Sequence, residues 1–360
     1  MNILIFDMDG VLIDVTKSYR RAIQQTTKIY LETCLGLKGI KKDWVTDQEI
    51  SMFKSAGGFN NDWDLTSGLL LYLLSISGLP LLPRRERFSS IKPIVSYLQK
   101  KSSRSLQKPS FRFKRKHFYL FLEELKSFGG GLRGVHRILG TAWDGWVYRL
   151  GDLDQENLVK RIFQEIYLGE KFTVCYHLPS LFYKGKGFYL KEKTLIPRKI
   201  LASLRKKMWM GIASGRPRFD AELALKRFGL RPYFNSVITL DECEEEENRI
   251  LRSTGKKIKC SKPHPYSILR VVREIGISNP RCAYVGDVVD DILAAQAAKK
   301  ALDIITIGFL GTPANRKVMK KAFIRVGADL IIQNPKELLR FAPPTHFLPL
   351  KGGRVRVGMY

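Results

Sequence analysis

The stretch Asn2-Ile-Leu-Ile-Phe-Asp-Met-Asp-Gly-Val-Leu-Ile-Asp14 decides the fold of this 360-residue chain. Its apolar run, residues 3–6, shows no polar alternation, which predicts a strand buried on both faces, as in a parallel sheet. Asp7 and Asp9 follow that strand directly. Ligands in open α/β sheets bind beyond the carboxyl ends of the strands, so both carboxylates are candidate site residues. The alternative is a solvated corner in which Asp14 caps the next helix.

The carboxylates at this strand end need a compensating charge. Two acidic side chains this close repel each other unless a cation or a shared proton intervenes. Mg²⁺ is a hard cation that takes oxygen ligands, and it fits that need. A second acidic run, Asp287 with Asp290 and Asp291, follows another buried stretch, Ala283-Tyr-Val-Gly286. Three carboxylates there suit a cation better than a merely structural turn.

The composition indicates a globular protein with a strong positive charge. The net charge is +28, the predicted pI is about 9.9 and 44% of the residues are hydrophobic. This length allows two domains with cores of their own. The charge favours anionic partners such as phosphorylated metabolites, nucleic acid or acidic membrane, although a basic bias of the whole proteome would produce it equally well.

Cysteine usage and hydropathy suggest a cytoplasmic protein without a membrane segment. The five cysteines are scattered and form no Cys-x-x-Cys pair, which argues against a zinc knuckle or a disulfide framework and for a reducing compartment. No secretory signal is visible at the start of the sequence. The most apolar stretch, Leu69–Leu82, is interrupted by polar residues and too short to span a bilayer, so it predicts a core helix.

Strands and helices alternate in the second half of the chain, which predicts a parallel sheet covered on both faces. The first strand belongs with this sheet, so residues from 15 to about 195 are an insertion into an α/β domain. The predicted strands are residues 209–213, 237–239, 282–285, 304–307 and 330–332. The predicted helices lie near residues 217–228, 265–275, 290–299, 314–324 and 335–340.

A basic segment lies within the insertion, at residues 83–137. Fifteen lysines and arginines oppose three acids between Leu82 and Gly140. Aromatic residues alternate with these charges, and serines near the middle predict a flexible stretch. One interpretation is a surface for nucleic acid or another polyanion. We favour a solvated insertion whose aromatic residues anchor it to its domain. The aromatic residues are Phe111, Phe113, Phe118, Tyr119 and Phe121, and the serines are Ser102, Ser103 and Ser105.

Two further loops carry residues suited to phosphate chemistry. Ser214-Gly-Arg-Pro217 follows a buried strand and precedes a helix, where a hydroxyl and backbone amides can hold phosphate oxygens. An ordinary helix N-cap is the alternative. Lys262 lies in Lys262-Pro-His-Pro265, just before another predicted helix. A lysine in a loop is usually solvated. Lys262 is a candidate only because it lies between the Ser214 loop and the acidic run at Asp287 along the chain.

These residues resemble, in order and spacing, the four motifs of the haloacid dehalogenase-like hydrolase superfamily. The matching elements are Asp7-x-Asp9-Gly-Val, Ser214, Lys262 and Gly286-Asp287-x-x-x-Asp291. The resemblance covers residues 1–14 and about 197–340. The inserted segment resembles the helical cap of the phosphoglycolate phosphatase and β-phosphoglucomutase-like subfamily.

The resemblance implies an α/β fold: a Rossmann-like, doubly wound parallel sheet with an inserted, mainly helical cap domain. The core would comprise residues 1–14 and 197–340, and the cap residues 15–196. We assign no role to the basic, Pro/Gly-rich tail, residues 341–360. The chain departs from the family in two places, because the cap is longer than usual and residues 241–260 lengthen the approach to Lys262.

The family mechanism assigns a role to each motif residue. Asp7 would attack phosphorus and form an aspartyl-phosphate. Asp9 would protonate the leaving alcohol and later activate water. Ser214 and the Gly215 amide would hold the phosphoryl oxygens, and Lys262 would neutralise charge on Asp7 and the phosphate.

The resemblance also implies a Mg²⁺ site and a substrate site. Metal ligands would be carboxylates of the first and last motifs and one backbone carbonyl. Substrate selection would lie in the cap, although its candidate loop could instead merely cap a helix through Asn61 or Asp64. The arginines after Ser214 would bind a second anionic group of the substrate, or would lie on a solvated helix face. The metal ligands would be Asp7, the Asp9 carbonyl and Asp287, with Asp291 or Asp290 in support. The substrate-binding candidates are Asn60, Asn61, Asp62, Trp63, Gly215, Arg216 and Arg218.

Three functions follow as hypotheses. The first is a Mg²⁺-dependent phosphatase for a small phosphate monoester, such as a phosphoglycolate-like compound or a sugar phosphate. The second is a phosphomutase with the same site. The third, which is not favoured, is a nucleic-acid-binding protein with a vestigial core, or a nucleic-acid phosphatase, that uses the basic segment. The intact motif residues argue against a vestigial core. The sequence does not indicate the oligomeric state.

Overall fold

The structure is a computed structural model that describes residues 1–37, 43–59, 61–105, 115–311 and 316–342. The described residues form strands β1 Ile3–Phe6, β2 Ile13–Asp14, β3 Lys193–Thr194, β4 Trp209–Ala213, β5 Ser236–Ile238, β6 Arg281–Gly286, β7 Asp303–Phe309 and β8 Leu330–Ile332. The helices are α1 Tyr19–Ile29, α2 Asp47–Lys54, α3 Asp62–Ser75, α4 Ile91–Ser105, α5 Arg115–Ser127, α6 Gly131–Leu139, α7 Leu158–Leu168, α8 Lys171–Tyr176, α9 Arg198–Arg205, α10 Arg218–Phe228, α11 Leu240–Thr254, α12 Tyr266–Ile275, α13 Val289–Ala298 and α14 Arg316–Arg325.

Six strands form one parallel sheet, in the order β5-β4-β1-β6-β7-β8. The first strand therefore lies in the middle, where Phe6 pairs with Ile212 of β4 and with Val285 of β6. The strand order runs outward from β1 in both directions, and such a switch point is where doubly wound folds bind ligands. The α/β fold with a doubly wound parallel sheet is confirmed.

Burial explains why these strands read as apolar runs. All four residues of β1 are fully buried, as the lack of polar alternation predicts. Ile3 and Ile5 pack in one core cluster with residues of β6 and α12, among them Tyr284 and Val271. The predicted strands of the sheet are confirmed to within one or two residues at each end. The predicted helix near residues 335–340 is a short 3₁₀ helix, Pro335–Phe341.

The chain divides into two compact units. The first comprises residues 1–13, 194–287 and 291–360, and it contains the six-stranded sheet. The second comprises residues 14–193 and 288–290, and it is mainly helical. Strands β2 and β3 form a separate two-stranded sheet.

Helix α3 is central to the second unit. It is apolar around most of its circumference and its residues from Leu65 to Leu74 are all buried. It packs against α1, α6 and α7, as a helix without a polar face must. Among the described residues, no helix is long and apolar enough to cross a membrane. The prediction of a core helix within Leu69–Leu82 is confirmed as far as Ser75, where α3 ends, and is wrong for residues 76–82.

The described part of the basic segment is helical and held by its aromatic residues. Phe118 and Phe121 of α5 are buried and stack on Phe53 of α2, with ring centroids 6.2 and 5.9 Å apart. This agrees with the favoured interpretation, although Phe111 and Phe113 lie outside the described residues. Ser102, Ser103 and Ser105 belong to the last turns of α4, and the hydroxyl of Ser102 donates to the carbonyl of Leu35. Residues 106–114 lie outside the described residues, so the predicted flexible stretch stays a prediction.

A buried ion pair fixes a loop of the second unit to α7, and it predicts a large stability effect. Arg161 donates to Glu165 at 2.7 Å, and both side chains are almost fully buried. The second oxygen of Glu165 accepts the amides of residues 181–183. Removing one partner of such a pair leaves an uncompensated buried charge. We therefore expect Arg161→Met to lower the free energy of unfolding by about 3–5 kcal/mol, measured by chemical denaturation.

The matched control for this variant is Arg270→Met. Arg270 pairs with Glu274 at the same i, i+4 spacing, but both side chains are more than a third exposed. Exposed helical pairs contribute about 0.3–0.5 kcal/mol, so this substitution should change stability little. Equal effects of the two substitutions would contradict the importance assigned to the buried pair.

Candidate active site

Asp7 lies at the end of β1, in the middle of the sheet, and is 5% exposed. Its amide donates to the carbonyl of Val285 at 2.8 Å, which extends the β1–β6 pairing by one residue. The chain then turns through Gly10, whose φ is +72°. A Cβ at that position would lie 1.8 Å from a carboxylate oxygen of Asp287. Only glycine therefore allows the loop after β1 to approach the loop after β6 this closely.

Lys262 connects the first and last motifs. Its Nζ lies 2.6 Å from Oδ1 of Asp7, 2.6 Å from Oδ1 of Asp291 and 2.8 Å from the hydroxyl of Tyr284. An ammonium group has three N–H donors, so these contacts account for all three. The lysine is therefore a buried counter-ion that fixes two carboxylates, and it is not a solvated loop residue.

Burial and charge act in opposite directions on this pair. Burial raises the pKa of Asp7 to about 7, against the opposing effect of Lys262, and the nearby Asp291 and Asp9 raise it further. Burial alone would lower the pKa of Lys262, but Asp291 and Asp7 hold it well above its usual value. The lysine therefore stays charged at neutral pH. An additional cation would favour the ionised form of Asp7.

Tyr284 is a site residue that the sequence analysis missed. It points from β6 into the site, where its hydroxyl also lies 2.9 Å from Oδ1 of Asp291 and 3.4 Å from the carbonyl of Ala213. Burial raises the pKa of Tyr284 well above its usual value, so the phenol stays neutral. Its position in an otherwise apolar strand was the one available signal, because a buried phenol needs hydrogen-bond partners.

Ser214 and Arg216 follow β4, next to the end of β1. The Ser214 hydroxyl accepts the Arg216 amide at 3.1 Å, so it organises its own loop. Arg216 is 1% exposed, and its Nε donates to Oδ1 of Asp9 at 2.5 Å. The alternative of a solvated helix face is therefore wrong for Arg216. Arg218 is part-exposed and forms an ion pair with Glu242.

The carboxylates of Asp7, Asp287 and Asp291 form a cluster that could hold a metal ion, with one oxygen of each within 4.8 Å of the others. This is an all-oxygen donor set, which suits a hard divalent cation. Asp291 also accepts the amide of Asp287 at 3.0 Å, which fixes the loop after β6. The carboxylate of Asp9 is outside the cluster and contacts Arg216 instead.

Asp290 has a different contact from its neighbour in sequence. It belongs to the second unit, where its carboxylate accepts the amide of Gly58 at 3.1 Å. Asp291, and not Asp290, therefore lies in the carboxylate cluster. The support of a metal ion by Asp291 stays a prediction, and this arrangement favours it over support by Asp290.

The substrate-binding candidates of the second unit are described in part. Asn60 lies outside the described residues. Asn61 is the N-cap of α3, and its side chain accepts the Asp64 amide at 2.8 Å. Asp62 pairs with Lys54 at 3.0 Å. Trp63 is buried, with the ammonium of Lys160 4.4 Å from the centroid of its ring. Asn61 and Asp62 therefore have structural roles, as a helix cap and as an ion-pair partner. Substrate binding by this loop stays a prediction.

Comparison with known proteins gives the family. Residues 1–299 match the family model described as haloacid dehalogenase-like hydrolase. An imidazoleglycerol-phosphate dehydratase from Phytophthora nicotianae is 24% identical over 297 residues, which are 82% of this chain and 41% of that protein. A phosphoglycolate phosphatase from Xanthomonas campestris is 33% identical over 88 residues, covering 24% of this chain and 33% of that protein. The chain thus spans well under half the length of these relatives.

A solved structure supports the fold independently. An X-ray structure of a structural-genomics target superposes with a TM-score of 0.56 and 20% identity, covering 94% of this chain and 97% of the other. At that identity the likeness concerns the fold alone. The match over residues 1–299 includes Asp7 and Ser214 at strand ends, Lys262 in the loop before α12 and Asp291 in α13. The chain therefore belongs to the haloacid dehalogenase-like hydrolase family.

Proposed function

We propose that this chain is a Mg²⁺-dependent phosphatase that hydrolyses a small phosphate monoester through an aspartyl-phosphate on Asp7. The observation that carries the proposal is the buried contact of Asp7 with Lys262 at 2.6 Å, beside a cluster of three carboxylates. A carboxylate held this way is a fixed nucleophile in a site with a strong electrostatic field. The phosphatases among the curated relatives support the same reaction class.

The first half-reaction forms the acyl phosphate. An oxygen of Asp7 attacks phosphorus, and the bond between phosphorus and the leaving oxygen breaks. Asp9, as the carboxylic acid, gives its proton to the leaving oxygen, so that a neutral alcohol departs. The amide of Gly215 and the hydroxyl of Ser214 are proposed to hold the phosphoryl oxygens. Lys262 keeps the Asp7 carboxylate oriented, because its ammonium binds Oδ1.

The second half-reaction regenerates the enzyme. Water attacks the phosphorus of the acyl phosphate while Asp9, now a carboxylate, takes its proton. The bond between phosphorus and the Asp7 oxygen breaks, which releases inorganic phosphate. A bound Mg²⁺ would lower the repulsion between the anionic carboxylate and the anionic phosphate. Asp7, Asp287 and Asp291 would hold it through their side chains, and the Asp9 backbone carbonyl is proposed as a further ligand.

The experiment that tests this function measures inorganic phosphate released from a panel of phosphate esters, with either Mg²⁺ or EDTA. The panel includes phosphoglycolate, glycerol and sugar phosphates, imidazoleglycerol phosphate and a 5′-phosphorylated oligonucleotide. We expect release from at least one small monoester in Mg²⁺ and its loss in EDTA. Restoring excess Mg²⁺ should restore the release, because the metal and the carboxylates act together.

Other outcomes of the panel identify the alternatives. Phosphate transfer between sugars that requires a sugar bisphosphate, with little free phosphate, would indicate a phosphomutase. Release from the oligonucleotide alone would indicate a nucleic-acid phosphatase. Full activity in EDTA would contradict the metal dependence. A folded protein that releases phosphate from no member of the panel would contradict the phosphatase proposal itself.

A further inference from the structure

Arg216 is an unusual residue for the interior of the first unit. Its side chain is completely buried, whereas the Asp9 carboxylate that it contacts is 24% exposed. Burying a charged group carries a desolvation penalty of several kcal/mol, which a close ion pair offsets at best in part. Such a pair is weak evidence for a role in stability. A buried arginine next to the second carboxylate of the site therefore calls for a functional explanation.

The backbone of Arg216 is fixed on both sides. Its amide donates to the hydroxyl of Ser214 at 3.1 Å, and its carbonyl accepts the amide of Leu240 at 2.9 Å. Helix α10 begins two residues later. The guanidinium is planar and its donors have a fixed geometry, so a fixed backbone gives the Asp9 carboxyl a defined partner.

A general acid needs this kind of support. It must present its proton within about 2.6–3.2 Å of the leaving oxygen, so its orientation matters as much as its acidity. Asp9 lies on the loop after β1, and its Oδ1 is 2.5 Å from Nε of Arg216. The contact restricts the rotation of the carboxyl group, because moving it would break a charge-assisted hydrogen bond.

We propose that Arg216 is a positioning residue that holds the Asp9 carboxyl in the orientation from which it protonates the leaving group. This inference rests on the proposed phosphatase function. It replaces the expectation that Arg216 binds a second anionic group of the substrate. It also gives the buried guanidinium a role, since its Nε joins the loop after β4 to Asp9.

Leaving-group dependence tests the proposal. An alkyl phosphate needs a proton on its departing oxygen, whereas p-nitrophenyl phosphate releases a stable anion that does not. We expect Arg216→Met to lower kcat/KM for an alkyl phosphate by about 10²-fold or more, the lower range of general acid catalysis. For p-nitrophenyl phosphate the loss should stay below about tenfold. The ratio kcat/KM reports the first half-reaction, in which Asp9 acts as the acid.

Two further variants separate positioning from a structural role. Arg218→Met removes a neighbouring arginine that pairs with Glu242 outside the carboxylate cluster, and it should affect both substrates equally. Arg216→Lys keeps the buried charge without the planar donor group, and it should show the same substrate bias as Arg216→Met with a smaller loss. If Arg216→Met does not fold, Arg216→Lys carries the comparison.

A double-mutant cycle completes the test. If Arg216 acts through Asp9, adding Arg216→Met to Asp9→Asn should lower the kcat/KM for the alkyl phosphate no further. Equal losses for the two substrates in Arg216→Met, or additive losses in the cycle, would overturn the proposal while leaving the phosphatase function intact. Absence of turnover of either ester by the wild-type protein would overturn both.

Discussion

We expect replacement of Asp7 by asparagine to abolish phosphate release, with a loss in kcat of about 10⁴-fold or more. Loss of a nucleophile has effects on this scale in other hydrolases. Asparagine keeps the size of the side chain and one hydrogen-bond acceptor for Lys262, so the fold should survive. The amide is too poor a nucleophile to form an acyl phosphate. A tenfold change corresponds to about 1.4 kcal/mol, so the expected loss exceeds about 5 kcal/mol of transition-state stabilisation.

A direct observation of the intermediate makes this prediction sharper. When wild-type protein is mixed with radiolabelled substrate and quenched in acid, the label should remain on the protein and be released by hydroxylamine. Asp7→Asn should retain no label. Asp14→Asn is the matched control, because Asp14 follows in the same motif but accepts the amide of Thr16 and lies outside the carboxylate cluster. Labelling of Asp7→Asn at the wild-type level would exclude Asp7 as the nucleophile.

The sequence predicted the site through strand ends. Asp7, Ser214 and Asp287 each follow a short apolar run, and parallel strands place their carboxyl ends at one edge of the sheet. The strand order, with β1 between β4 and β6, then brings the loops after these strands together. The site residues that lie at strand ends could therefore be predicted from the apolar pattern and from the order of the motifs.

The contacts between side chains could not be predicted from the sequence in the same way. Arg216 reads as a polar residue near a helix start, and only the folded chain shows that it is buried against Asp9. Tyr284 is a phenol within a mainly apolar strand, and the sequence does not show which groups its hydroxyl contacts. The contacts of Arg216 and Tyr284 depend on which strands are neighbours and on the length of each side chain. The spacing of residues along one strand or helix does not contain that information.

Helix α11 shows a third kind of limit. The sequence analysis took residues 241–260 only as an addition that lengthens the approach to Lys262, and it predicted no helix there. The structure forms a helix of 15 residues there, Leu240–Thr254. Its start has a capping box between Thr239 and Glu242, and Gly255 ends it in a left-handed conformation. These cap signals were visible in the sequence, and they indicate a helix.

Replacement of Lys262 by methionine is the second prediction with a large effect. It removes the cation that lies 2.6 Å from both Asp7 and Asp291. The two carboxylates then face each other in a site where Lys262 itself is only 13% exposed. Breaking a buried pair by removing one partner costs about 3–5 kcal/mol. In EDTA we expect the free energy of unfolding to fall by about this amount, and phosphate release to be lost.

The matched control is Lys299→Met. Lys299 pairs with Asp329 at 2.8 Å, but about a third of each side chain is exposed. Partly exposed pairs of this kind contribute about 0–1 kcal/mol, so the same substitution should have a small effect there. A stability of Lys262→Met equal to that of the wild type in EDTA would contradict the role of Lys262 as a buried counter-ion.

Titration with Mg²⁺ separates the counter-ion role of Lys262 from general damage to the fold. In the wild type, the ammonium contacts one oxygen of Asp7 and one oxygen of Asp291, so the lysine already offsets part of the negative charge that a divalent cation would otherwise neutralise. Without the lysine, the cation is the remaining source of positive charge for the cluster. Since a ligand that binds only the native state stabilises it by mass action, Mg²⁺ should raise Tm more in Lys262→Met than in the wild type. Lost packing alone would give equal increases, because a cavity at this position does not respond to the metal concentration.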